Sequence, residues 1–313
     1  MGTYLLRRVL ATIPVMAVVA LFVFSLLYIA PGDPAAVIAG DQASPEQIAH
    51  IRASLGLDRP FLVRFGDWLW HILHGDLGTS IFTNLPVTHM IAQRIQPTLS
   101  LMVFTIALSL IIAIPMGVIA AWQQGKWPDR LIMVFAVLGF STPVFVIGYV
   151  LAFVFALELK LLPVQGFTPI EQGFWPFLRS LILPAFTLGG IYIALIARIT
   201  RAAMLDVLSQ DYIRTARAKG LGQGAVLFVH ALKNAAVPIV TVVGLGVALL
   251  IGGAVVTESV FAIPGLGRLT VDAILRRDYP VIQGVVLLFS FVYVLVNLAV
   301  DLLYTVFDPR IRY

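Results

Sequence analysis

Six apolar runs, each long enough to cross a lipid bilayer, dominate this chain: residues 9–30, 99–121, 131–157, 181–197, 235–256 and 281–300. A helix needs about 17–25 mostly apolar residues to cross the hydrocarbon layer. The chain is 60% hydrophobic and 12% charged, against about 45–50% and about 25% in soluble domains. One soluble core of this size cannot hide so much apolar surface. The expected fold is all-α: a polytopic membrane protein with six transmembrane helices.

Arg7 and Arg8 precede the first run, as in a signal peptide. A secretory apolar region is only about 7–15 residues long, and Pro31-Gly32-Asp33-Pro34 is a poor cleavage site. An uncleaved first span is predicted. The fourth run is the shortest and carries Pro184, Gly189 and Gly190. Such residues are tolerated where neighbouring helices re-satisfy the backbone, so this span belongs inside a bundle. The short 123–130 loop and both tails are basic, which places both termini on the cytoplasmic side.

The 31–97 segment is then a long outer loop. Phe61, Leu62, Phe65, Trp68, Leu69, Ile72 and Leu73 recur at helical spacing, and Asp58 and Pro60 suit a helix start. The pattern fits a helix lying in the membrane interface or a small folded cap. His71 and His74 share a face of that helix, where packed or solvated histidines are the ordinary reading and a metal site the rarer one. The chain divides into 1–98, the first span with its outer loop, and 99–313, a core of five spans with an inner loop at 198–236.

Several function classes fall away. There is no Cys, hence no disulfide, thiol nucleophile or thiolate metal site. The cations flank apolar runs instead of forming one patch, which argues against nucleic acid. No internal repeat is visible, unlike transporters built from inverted repeats. No H-E-x-x-H or paired intramembrane aspartates suggest an enzyme, and no G-x-x-x-x-G-K-[ST] phosphate loop occurs. Gly125-Lys126 is the one Gly-Lys pair, and Trp127 follows it.

The inner loop is the most distinctive stretch. Asp211 suits the first turn of a short helix over residues 211–219, and Arg217 and Lys219 suit its end. Gly220 and Gly222 then supply a stop. Residues 225–236 fit a second helix, with Val226, Leu227, Val229 and Leu232 on its apolar side and Pro238 opening the next span. Ala216, Ala218 and Gly220 permit close approach by another surface. Tyr212 and Leu221 can anchor it, while Arg214, Arg217 and Lys219 can meet acids on a soluble partner or anionic lipid head groups.

This loop resembles the cytoplasmic "EAA" loop of ABC-importer membrane subunits. The likeness is nearest the dipeptide/oligopeptide/nickel branch, through Asp211, Tyr212, Arg214, Thr215, Ala216, Arg217, Ala218, Lys219, Gly220 and Leu221, then His230, Ala231, Leu232, Asn234, Ala235 and Pro238. The name-giving Glu is replaced by Arg214, and the Gly220-to-Pro238 gap is longer than in the sugar-importer version; both suit the peptide branch. Tyr4-Leu5-Leu6-Arg7-Arg8, Ala30-Pro31-Gly32-Asp33-Pro34, Leu55-Gly56-Leu57-Asp58, Gly75-Asp76-Leu77-Gly78, Pro264-Gly265-Leu266-Gly267 and Asp308-Pro309-Arg310-Ile311-Arg312 extend the resemblance along the chain.

The resemblance implies one membrane subunit of a heteromeric importer in a bacterial or archaeal cytoplasmic membrane. Its partners are a second, homologous permease subunit, two cytoplasmic ATPase subunits or domains, and an extracytoplasmic solute-binding protein. It implies no cofactor and no catalytic residue in this chain, since ATP and magnesium sit on the partners. Tyr212, Arg214, Thr215, Ala216, Arg217, Ala218, Lys219, Gly220 and Leu221 would dock the ATPase. Ser141, Thr257 and Glu258 are candidate pathway residues; Glu258 can instead make a structural bond or sit at the surface. Ser141, Thr142 and Pro143 can kink the third span. Asn297 and Asp301 lie one turn apart and suit helix–helix contact. The alternative is an ion-coupled secondary transporter using Glu258 and Asp301.

Overall fold

The computed structural model describes residues 2–29, 34–39, 43–54 and 56–307. Among them all extended regular structure is helical, apart from a lone bridge between Thr79 and Pro86. In chain order the helices are α1 (Gly2–Ile29), α2 (Pro34–Ala39), α3 (Pro45–Ser54), α4 (Phe61–Leu73), α5 (Val87–Trp122), α6 (Trp127–Ser141) and α7 (Val144–Leu151). They continue as α8 (Phe174–Leu208), α9 (Asp211–Ala218), α10 (Leu232–Asn234), α11 (Ala236–Val260), α12 (Leu266–Arg276) and α13 (Tyr279–Phe307). Helices α1, α5, α8, α11 and α13 are each long and apolar enough to span a membrane. The pair α6 and α7, the latter with its π-helical extension to Glu158, passes the same test only when taken together and is bent by 107°, as a broken span or a re-entrant loop is. Residues 30–33, Leu55 and 308–312 of the sequence motifs lie outside the described residues.

The bend falls at the predicted kink. A proline pushes the residue before it out of the helical region, and Thr142 is accordingly extended at φ −96 and ψ 126. Its hydroxyl donates back to Leu138 O at 2.9 Å, which closes the end of α6. Hydropathy places run 131–157 in one span but is blind to direction. In contrast, α5 reaches back to Val87, well before run 99–121, because Pro97 is carried inside the helix.

The chain divides into two compact units. One comprises residues 1–95 and 268–294, the other 96–267 and 295–313. The second is organised on α8, whose apolar window is 72% buried against 33% in α5 and α11. This is the shortest run of the sequence, and it does sit inside the bundle. Its neighbours approach at small residues. A Cβ on Gly117 of α5 would lie 2.5 Å from Thr200, and one on Gly246 of α11 would lie 1.6 Å from the Tyr192 ring. With no side chain on Gly246, that ring fills the space, and its hydroxyl donates to Val243 O. Close approach at small residues is how helices gain packing energy where surrounding lipid is equally apolar.

In the first unit, α4 packs on α1. Pro60 precedes its first turn as the sequence predicts. Phe61 meets Phe24 and Tyr28, and Phe65 and Trp68 meet Phe24, with centroids 5.1–5.4 Å apart. Helix α3 opens with a capping box: Ser44 N–H donates to Gln47 Oε1 at 2.9 Å, and Gln47 N–H donates to Ser44 Oγ at 3.3 Å. Asp278 precedes α13 and is almost fully buried. It accepts from Ser80 Oγ at 2.5 Å and Ile81 N–H at 3.3 Å, tying the 76–86 turns to the start of that helix.

Candidate functional site

Helix α9 stands between the ends of α8 and α11 in sequence, as the inner-loop pattern predicts. Its stop is a Schellman arrangement: Gly220 N–H donates to Arg217 O at 3.0 Å and Leu221 N–H to Ala216 O at 3.3 Å. Gly220 takes φ +79, a conformation nearly free of cost for glycine alone. At the other end, Thr215 Oγ1 donates to Asp211 O at 3.1 Å. Arg214 and Asp211 pair at 3.3 Å while both remain largely exposed, so that ion pair contributes little.

The helix has one inward face. Ile213 is fully buried in a cluster with Val118 of α5, Met204 of α8, and Val226, Leu227 and Ala231 of the following π-helical turn. Ala216 is buried on the same face. This corrects one expectation: the small side chain of Ala216 serves packing within the chain and is not offered to another surface. The opposite face presents Tyr212, Arg214, Thr215, Arg217, Ala218, Lys219, Gly220 and Leu221, all exposed. Partial burial pushes the Tyr212 phenol above its ordinary pKa, with a smaller opposing effect from a hydrogen bond to Asn234. A second correction concerns Val229, which the sequence places on one apolar side with Val226, Leu227 and Leu232. It is exposed beside exposed Phe228, because π-helical turns at 225–231 shift the register away from 3.6 residues per turn.

The sequence reading missed a clamp between α6 and α8. Arg201 near the end of α8 grips Asp129 of α6 through both carboxylate oxygens, at 2.5 Å (Nε–Oδ1) and 2.8 Å (Nη2–Oδ2). Gly125 N–H donates to the same carboxylate at 2.9 Å. Asp129 is buried. Arg201 was legible only as one more cation, although an Asp just after Pro128, in a helix first turn, marks a group placed to receive a partner.

The candidate pathway residues do not form one lining. Ser141 is exposed at the α6–α7 break. Thr257 and Glu258 are both 0% exposed, enclosed by their own chain. Thr98 Oγ1 donates to Glu258 Oε1 at 2.6 Å and accepts from Leu266 N–H at 2.8 Å. The Pro264-Gly265-Leu266-Gly267 turn wraps the carboxyl so closely that a Cβ on Gly265 would lie 2.3 Å from it. The side chain braces a turn and does not face an open passage. Asp301 is half-buried on α13. His71 pairs with Asp76 at 3.4 Å and His74 Nδ1 meets Trp70 O at 2.8 Å, so the two histidines engage different partners.

Residues 113–313 match the profile of the family described as binding-protein-dependent transport system inner membrane component, and residues 1–102 match its N-terminal counterpart. Along 313 residues the chain is 55% identical to a probable peptide ABC transporter permease protein of Sinorhizobium fredii, with 100% of both chains covered. It is 45% identical to the glutathione transport system permease protein of Salmonella typhimurium over 313 residues, again covering 100% of each. It is 43% identical over 333 aligned residues to the dipeptide transport system permease protein of Alkalihalophilus pseudofirmus, with 100% of both covered. A chain from an inward-facing crystal structure of the MetNI methionine ABC transporter has the same fold, with TM-score 0.58 and 16% identity over 70% of this chain and 96% of that one.

Proposed function

The chain belongs to the family of binding-protein-dependent transport system inner membrane components, and on that premise we propose that it forms half of the translocation pathway of an ATP-driven importer for di- or oligopeptides or peptide-like solutes. Full-length similarity to peptide, dipeptide and glutathione permeases supports this cargo class. The other half is a second, homologous permease. Two cytoplasmic ATPase subunits or domains bind ATP and magnesium, and an extracytoplasmic binding protein delivers the solute. The chain sits in a bacterial or archaeal cytoplasmic membrane with both termini inside.

One observation carries the mechanism: α9 has an exposed basic face on a buried apolar foot. The ATPase grips Tyr212, Arg214, Thr215, Arg217, Ala218, Lys219, Gly220 and Leu221. Its nucleotide-driven closure displaces α9. Ile213 passes that displacement to α5 and α8, because its side chain belongs to the same buried cluster as Val118 and Met204. The relative stability of inward-open and outward-open forms changes as a result. This chain makes and breaks no covalent bond. The ion-coupled alternative finds no support: Glu258 is enclosed, and the family is one of binding-protein-dependent systems.

The test replaces Arg217 and Lys219 by Glu and Ala218 by Trp, all on the exposed face. Uptake of labelled dipeptide should fall to background, co-purification of the ATPase should be lost, and membrane insertion and pairing with the second permease should persist. Wild-type uptake by this variant would overturn the coupling role. Ala216 is unsuitable for such a test, because a larger residue there disrupts the foot of the helix.

A further inference from the structure

We infer that α4 runs antiparallel beside the Tyr28-end half of α1 with its apolar flank in lipid, in the leaflet at that end. The depth of α4 follows from what it touches. The apolar part of α1, Arg8–Ile29, has 22 residues, about 33 Å of helix at ~1.5 Å per residue. That matches a hydrocarbon layer of about 30 Å, so Arg8 and Tyr28 mark opposite boundaries. Helix α4 starts at the second boundary and runs inward along α1. Phe61 packs on Tyr28, Phe65 on Phe24, and Trp68 and Ile72 against the cluster of Ala20, Val23 and Leu287.

A boundary cation marks the same level. The Arg64 guanidinium lies over the Tyr28 ring at 5.2 Å and the Phe24 ring at 5.8 Å, and it donates to the Tyr28 hydroxyl. This is how an arginine covers apolar surface while its head stays at the wet edge.

The remaining circumference of α4 divides in two. At ~3.6 residues per turn, Leu62, Val63, Trp70 and Leu73 fall on one flank, and Asp67, His71 and His74 on the other. Leu62 is 76% and Leu73 73% exposed on the described chain, and no charge interrupts their flank. On the polar flank, Asp67 pairs with Arg59 and His71 with Asp76 in the open. Helix α1 already exposes Val18, Phe22 and Ile29 over the same depth. The apolar flank of α4 therefore extends a surface that is lipid-facing by virtue of the span. A helix with one uncharged flank bearing Trp and Leu, and one polar flank, suits a place where lipid meets a polar surface. The 31–97 segment is anchored there from outside as well as by its two ends.

The chain has no Cys, so single spin labels need no background removal. Nitroxides would be placed at Leu62→Cys, Leu73→Cys, Asp67→Cys and His71→Cys in the full chain, in nanodiscs, alone and in the co-purified importer. At positions 62 and 73, collisions with oxygen should exceed those with a water-soluble nickel chelate, in both preparations. At 67 and 71 the order should reverse. Nickel collisions dominating at 62 and 73 would overturn the inference in favour of a water-exposed cap. Low collision with both reagents, or a lipid signature lost in the assembled importer, would overturn it in favour of a protein-covered flank. None of these outcomes depends on the cargo or on α9.

Discussion

Thr98 bridges two elements with one hydroxyl, accepting from Leu266 N–H and donating to Glu258. Leaving a buried polar group without its partner costs about 1–3 kcal/mol. Thr98→Val should therefore lower the thermal midpoint of the detergent-solubilised protein, whereas Thr98→Ser should retain most of it. If valine leaves the midpoint unchanged, the bracket contributes nothing to stability. Gly246 is a site of the opposite kind, where adding matter does the damage. Its added Cβ would meet the Tyr192 ring at 1.6 Å, and overpacking of this sort costs about 1–3 kcal/mol. Gly246→Ala should destabilise the protein, and the double variant Gly246→Ala with Tyr192→Leu should recover part of the loss. An additive penalty in the double variant, read from the same melting curves, would mean that the two sites do not interact.

Between elements, the Asp129–Arg201 clamp binds α6 and the 123–126 loop to the end of α8 that leads into α9. Asp129 is 5% and Arg201 24% exposed at the side chain. Removing one partner of a buried pair costs about 3–5 kcal/mol, and the low end applies where water still reaches the guanidinium. Asp129→Ala should loosen the inner end of α8, seen as faster amide exchange across 198–210, and Arg201→Lys should show a milder form because it loses the two-pronged geometry. Unchanged exchange in Asp129→Ala would remove the clamp from any account of the loop. The limits of sequence reading lie at this scale. Hydropathy located the spans because lipid imposes length and polarity on each one separately. The Pro143 break and the Gly220 stop were readable because backbone geometry is local. Asp129 with Arg201, and Glu258 with Thr98, were not readable, because each pair joins residues far apart along the chain. The inward turn of Ala216 also escaped notice, since small size alone does not say which side of a helix is packed.

The whole chain carries spans, an exposed basic loop helix and no phosphate loop. Liposomes containing the permease pair alone should hold radiolabelled dipeptide gradients unchanged. Adding the ATPases, binding protein and ATP should start uptake, and a protonophore should leave it running. Transport by the bare permeases would remove the need for an external motor. The fit between Tyr192 and Gly246 bears on how such a cycle can proceed. With the ring set into α11 and its hydroxyl tied to Val243, sliding α8 past α11 would break both contacts. A cycle that keeps them carries the two helices together and puts its strain in the joints at their ends.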